Sequence, residues 1–220
     1  MKKLLLSAFV ICLAGTSIAQ ESPLWMRHCA LSPDGTTIAF TYKGDIYTVP
    51  STGGRATQIT TNPAFDTEPV WSPDSKQIAF ASDRMGSLDV FVVSSEGGAP
   101  QRLTTHSGSE KPVAYKDNKH ILFTANIAPS AEDAGFPSGQ FQQVYEVAVT
   151  GGRPAMFSSM PMECISINKE GVMLYQDKKG YEDYWRKHQV SPIASDIWTY
   201  TPGKKPVYQK QTTFGGEDRE

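Results

Sequence analysis

The chain has 220 residues, is 39% hydrophobic and 20% charged, and carries a formal net charge of −2. This is an ordinary globular composition, not that of a disordered chain, and no basic patch marks it for nucleic acid. Its 18 glycines and 15 prolines suit many short strands joined by turns.

Residues 1–19 read as an export signal. Lys2 and Lys3 form a positive start, residues 4–14 an apolar run, and Ser17-Ile18-Ala19 a small-residue cleavage site. The apolar run is too short to span a membrane comfortably. Cys12 follows Ile11, where a lipid attachment site needs a small residue. The expected mature chain is 20–220, exported, with the periplasm as its compartment and no membrane span after removal of the signal. Only Cys29 and Cys164 then remain. Export permits a disulfide, but they sit near equivalent places in the first and fourth repeats, which reads as two buried free thiols.

After the signal the chain repeats itself. Leu31-Ser32-Pro33-Asp34-Gly35 returns as Val70-Trp71-Ser72-Pro73-Asp74, then more loosely as Ala114-Tyr115-Lys116-Asp117 and Ile167-Asn168-Lys169-Glu170-Gly171. The spacings are 40, 43 and 53 residues, the period of an array of equal units. Proline presets φ for a turn, and Ser or Asp bonds the local backbone.

Each unit continues alike. Thr37-Ile38-Ala39-Phe40 matches Gln77-Ile78-Ala79-Phe80, His120-Ile121-Leu122-Phe123 and Val172-Met173-Leu174-Tyr175. Asp45-Ile46-Tyr47 matches Asp89-Val90-Phe91, Val144-Tyr145-Glu146 and Asp196-Ile197-Trp198. Hairpin glycines follow at 53–54, 97–98 and 151–152, where φ > 0 is available. The repeats run over about 23–61, 62–105, 106–158 and 159–213. Four-stranded units at this period predict an all-β fold, a β-propeller of about four blades whose ring is incomplete.

Two insertions, residues 124–142 and 176–195, separate the second and third strands of the last two units. Both should lie on one face, often the working face of a repeat array. The second holds Tyr181, Tyr184, Trp185, Arg186, Lys187 and His188, residue types that carry energy at interfaces, and is the candidate contact loop. Residues 212–218 repeat the linker at 60–68 that leads into a new blade, so the start of a further repeat is expected there.

Catalytic signatures are missing: there is no nucleophile elbow, metalloprotease helix motif, phosphate loop or dinucleotide fingerprint. No catalytic, cofactor or metal residue is assigned and no cofactor is expected. Asp45, Asp89 and Asp196, each opening a third strand, are read as turn caps bonding backbone N–H groups rather than as a cation ring. His106 and His120 are placed at solvated turns.

The unit Trp71-Ser72-Pro73-Asp74, Ile78-Ala79-Phe80, Ser82-Asp83-Arg84 and Asp89-Val90-Phe91 resembles the repeat of TolB-type propellers. The segment Lys179-Gly180-Tyr181-Glu182-Asp183-Tyr184-Trp185-Arg186-Lys187-His188, followed by Ser195-Asp196-Ile197-Trp198, resembles the propeller of tricorn-type serine peptidases over residues 23–220. That resemblance implies the amino-terminal part of an enzyme that continues with a second propeller, a PDZ-like domain and a core using Ser and His. Peptide or protein substrates and the other domains of the same polypeptide would be its partners, with this segment binding peptides and governing access but not catalysing. The export signal departs from the cytoplasmic archaeal namesake and points to a bacterial envelope homologue. The alternatives are a non-enzymatic TolB-type periplasmic protein-binding propeller and the propeller of a prolyl-oligopeptidase-like enzyme.

Overall fold

A computed structural model describes residues 25–127, 142–178 and 195–212. Blade 1 consists of β1 (Arg27–Leu31), β2 (Thr37–Tyr42), β3 (Asp45–Pro50) and β4 (Thr57–Gln58). Blade 2 has β5 (Asp66–Trp71), β6 (Gln77–Ser82), β7 (Asp89–Ser94) and β8 (Gln101–Arg102). In blade 3 the strands are β9 (Lys111–Asp117), β10 (His120–Ala125), β11 (Gln143–Ala148) and β12 (Ala155–Ser158). Blade 4 closes the series with β13 (Met162–Ile167), β14 (Met173–Asp177), β15 (Ile197–Thr201) and β16 (Val207–Lys210). Every blade is an antiparallel meander in sequence order, and the first strands of the four blades surround a common axis. The described residues form four blades of a β-propeller.

The turn between the first and second strands has the same mechanism in blades 1 and 2. Ser32 Oγ donates to Asp34 Oδ1 at 2.6 Å and accepts from Thr37 N at 3.0 Å. Ser72 repeats both bonds, to Asp74 at 2.7 Å and from Gln77 N at 2.9 Å. Hydrogen bonding from Ser32 and Ser72 holds the two aspartates below their ordinary range. In blade 4 Asn168 Oδ1 accepts from Val172 N at 2.8 Å instead. The turns also lock to each other: Asp34 N donates to Ser75 Oγ at 3.3 Å and Asp74 N to Asn118 Oδ1 at 3.1 Å.

Between blades, the second strand decides the packing. Side chains alternate across a strand, so Ile78 and Phe80 face blade 1, where they meet Ala39 and Ile46, while Ala79 faces blade 3 and meets Ile121 and Phe123. Leu122 faces blade 4, against Met173 and Tyr175. A bulky face thus lies on the small face of the blade before it. Phe40–Tyr47, Phe80–Phe91 and Phe123–Tyr145 stack at 5.9, 5.9 and 5.7 Å between centroids, adding aromatic pairing to the buried area. The Trp71 indole crosses the first seam and donates to Ala30 O at 3.0 Å.

Three seams are filled in this way, and among the described residues no apolar cluster joins blade 4 to blade 1. The two end faces keep the residue pattern of a seam. Leu174 is 45% exposed where Ala39, Ala79 and Leu122 are 0%, and Leu31 is 59% exposed where Trp71 is 7%. The expected restart of a repeat at 212–218 lies outside the described residues apart from Thr212.

Leu122→Ala and Leu174→Ala test this. The first empties a filled seam and should cost about 2–5 kcal/mol of stability. The second removes a half-exposed side chain and should stay within about 1 kcal/mol of wild type. Denaturant midpoints of the two variants, measured side by side, give the comparison.

Candidate functional site

The first strand of every blade carries a bulge near the same place. Pairing with the second strand slips between Arg27 and Ala30, between Thr67 and Val70, opposite Leu122 and Phe123, and between Glu163 and Ser166. At three of the four the bulge residue is left-handed although it is not glycine: His28 (φ 51°), Glu68 (φ 55°) and Cys164 (φ 51°). Pro112 holds the matching place in blade 3, where a ring-locked φ forbids that conformation. Such backbone costs about 1–2 kcal/mol per residue and concentrates at working sites. Here it turns side chains out of the sheet toward the axis.

The bulges surround one end of an axial channel. A cavity of about 710 Å³ is lined by His28, Cys29, Glu68, Pro112 and Cys164. A second, of about 780 Å³, lies toward the Ser-Pro-Asp turns, with Asp117 and Asn168 in its wall. Both touch Cys29, Pro69, Val70 and Val113, so they are the two halves of one passage. The prolines fit because a first strand has a partner on one side only.

Charges at the bulged mouth are paired. Lys111 Nζ of blade 3 reaches Glu68 Oε1 of blade 2 at 2.7 Å, and Lys178 Nζ reaches Glu163 Oε1 at 2.6 Å. These bridges are partly solvated and hold side-chain positions more than they add stability. Thr124, Gln142 and Lys178, from the flanks of the two insertions, line the same mouth. The flanks of both insertions therefore stand at one end of the channel. The contact-loop residues Tyr181, Tyr184, Trp185, Arg186, Lys187 and His188 lie outside the described residues.

Three expectations need correction. Cys29 and Cys164 are exposed free thiols, not buried ones, because the bulges swing them into the channel. The Asp45 cap is indirect. In blade 1 the Ile46 N–H donates to Thr60 Oγ1 at 3.0 Å, and that hydroxyl turns to Asp45 Oδ1 at 3.2 Å. In blade 4 Thr212 Oγ1 donates to Asp196 Oδ1 at 2.7 Å. The recurrence of Thr 15 or 16 residues after Asp is the sequence signal of this clasp between strands three and four. Burial, more than any other cause, raises the Asp45 carboxyl above its usual range. His120 is not simply solvated: its Nδ1 lies 3.0 Å from Asp117 Oδ1. Among the described residues no three His, Cys, Asp or Glu side chains gather as metal ligands. The bulges, and with them the roles of His28 and Glu68, were missed by sequence reasoning, because nothing in residue type marks a non-glycine left-handed position.

A family model described as the tricorn protease N-terminal beta propeller domain matches residues 23–220. The chain belongs to that family. Among curated proteins it is similar to the uncharacterized peptidase YuxL of Bacillus subtilis, 32% identical over 108 residues, which cover 44% of this chain and 16% of the relative. It is also similar to tricorn protease homolog 1 of Streptomyces coelicolor, 39% identical over 77 residues, or 35% of this chain and 7% of the relative. The matches thus span a small part of each relative. The crystal structure of the tricorn protease superposes with a TM-score of 0.65 at 16% identity, over 89% of this chain and 19% of that one. TolB from Acinetobacter baumannii gives 0.60 at 17% identity, over 85% and 43%. At these identities the two structures establish the fold alone.

Glu68 offers a test of the bulge. Glu68→Val puts a β-branched residue at φ 55° and should cost about 1–2 kcal/mol beyond the loss measured for Glu68→Gln, which breaks only the ion pair. Glu68→Gly should recover that difference. Thermal melts of the three variants check the order.

Proposed function

We propose that residues 20–220 are the propeller segment of an exported tricorn-like serine peptidase, which binds peptide at the bulged channel mouth and governs its access to a catalytic core elsewhere in the polypeptide. The observation that carries this reading is the convergence on one channel end of the four bulges and the flanks of both insertions. First strands with an unpaired side present free backbone groups there, the kind of edge an extended peptide can pair with. Trp25, Phe65, Met85 and Met160 are exposed at the same end of the ring, which suits a contact face.

Export follows from the positive, apolar and small-residue order of 1–19, and the periplasm is the compartment that order addresses. The half-exposed end faces support further blades between blades 4 and 1, since an apolar sheet face needs cover. Family membership supports the peptidase reading; the TolB likeness is equally a likeness of fold.

The contact loop is tested in the full-length protein with Trp185→Ala and Arg186→Ala. Either change should reduce peptide turnover or assembly by tenfold or more while circular dichroism and melting stay near wild type, as expected for interface anchors. If Trp185→Ala only lowers the melting temperature and Arg186→Ala does nothing, the loop is packing.

A second experiment separates the classes. Purified 20–220 should hydrolyse no peptide, whereas the full-length protein should, with sensitivity to a serine-directed inhibitor. A full-length protein that binds partners but never turns over peptide would favour the non-enzymatic TolB-type reading. Mass spectrometry of the exported protein should find Gln20 at the mature terminus.

A further inference from the structure

The seam between blades 2 and 3 buries two carboxyl groups together. Asp89 opens β7, Glu110 immediately precedes β9, and both are completely buried. The Glu110 amide donates to Leu88 O at 2.7 Å, which sets its backbone against the start of β7. Arg102, from β8, brings Nη2 to 2.9 Å from Asp89 Oδ2. The carboxyl oxygens of Asp89 and Glu110 are buried without a hydrogen bond of good geometry, although the Thr104 hydroxyl and the His106 backbone approach Glu110.

The neighbouring seam shows what is missing. Asp45 and Asp66 occupy the equivalent positions there, and Arg84 donates from Nη2 to both Asp66 oxygens at 2.9 Å. Its guanidinium lies over Phe91, 4.5 Å from the ring centroid. In blade 3 the residue in register with Arg84 is Ile127, which packs on the apolar core of the seam. Among the described residues one cation, Arg102, faces these two buried carboxyl groups, and it is committed to Asp89.

We propose that the Asp89–Glu110 pair is a proton-operated joint between blades 2 and 3, tight while Glu110 carries a proton and loosened when it ionises. A neutral Glu110 can donate its O–H toward Asp89. An ionised one sets a second anion beside Asp89 in a seam with one guanidinium, and buried like charges do not coexist cheaply. Burial pushes Glu110 up to about 7 from 4.5; the Thr104 hydroxyl opposes this, and the Asp89 charge adds to it. The other group facing the pair is the His106 linker; the same seam buries the phenols of Tyr115 and Tyr145, both raised further above their usual range by burial. Neither phenol ionises near neutrality.

The direction follows from linkage. Glu110 binds its proton more tightly folded than unfolded, so its contribution is fully present below pH 4.5 and lost as pH rises through about 7. The folding constant should fall by roughly two orders of magnitude over that window. Acidification tightens the ring, and neutral pH leaves blades 2 and 3 freer to move apart.

Thermal melts of the full-length protein, its Glu110→Gln variant and its Asp89→Asn variant from pH 4.5 to 8.5 test the proposal. The wild-type melting temperature should drop between pH 4.5 and 8. Glu110→Gln should lose that drop and exceed wild type at pH 8. Asp89→Asn removes the neighbouring charge and should move the midpoint of the drop to lower pH, which keeps the proposal testable if Glu110→Gln fails to fold. An unchanged drop in Glu110→Gln would overturn the joint. So would a calcium-dependent rise in wild-type melting that Glu110→Gln lacks, since the seam would then be a cation site.

Discussion

The structure depends on the contact between a bulky sheet face and the small face of the blade before it. A four-stranded blade has apolar side chains on both faces and no interior of its own. Phe80 becomes buried only because Ala39 leaves room for it, and Phe123 only because Ala79 does. Each blade thus completes its predecessor and requires a successor. This is why Leu122 is fully buried while Leu174, its counterpart in blade 4, is half exposed.

The same packing places the channel. Seams hold the blades edge-on to a common axis, so the first strands face one another with one side unpaired. Unpaired strand edges are open to further pairing and are blunted in natural sheets by prolines, charges and bulges. All three occur here: Pro69 and Pro112, the Glu68–Lys111 and Glu163–Lys178 pairs, and a bulge in every first strand. The devices that keep the edges from aggregating are the ones that shape the channel mouth, and they converge with the flanks of both insertions.

The electrostatics of the seams are less uniform than their packing. Three successive third strands open on Asp45, Asp89 and Gln143, and the next blades supply Asp66 and Glu110. In the first seam Arg84 serves Asp66 while it stacks on Phe80 and Phe91. Where Ile127 stands instead, the stacking survives as apolar packing and the charge is lost. In the first seam Gln58 and Thr60 serve Asp45 while Arg84 serves Asp66; in the second Arg102 serves Asp89, and Glu110 is the acid left without a cation among the described residues.

The sequence by itself determined the strands, their order and the turns. Period-two alternation, the Ser-Pro-Asp turn and paired glycines are local signals, set by hydrogen bonds within a few residues and by the φ that glycine permits. The family was legible for the same reason, since its motifs are these local units. Two features lay beyond local reading. Cys29 and Cys164 look like core residues by type, and only the bulges of the folded ring turn them into the channel. Glu110 looks like any acid in a linker, and only the seam sets it against Asp89 and away from a cation. Both are decided by the approach of residues distant in the chain, and burial and charge neighbours are properties of that approach rather than of the residue.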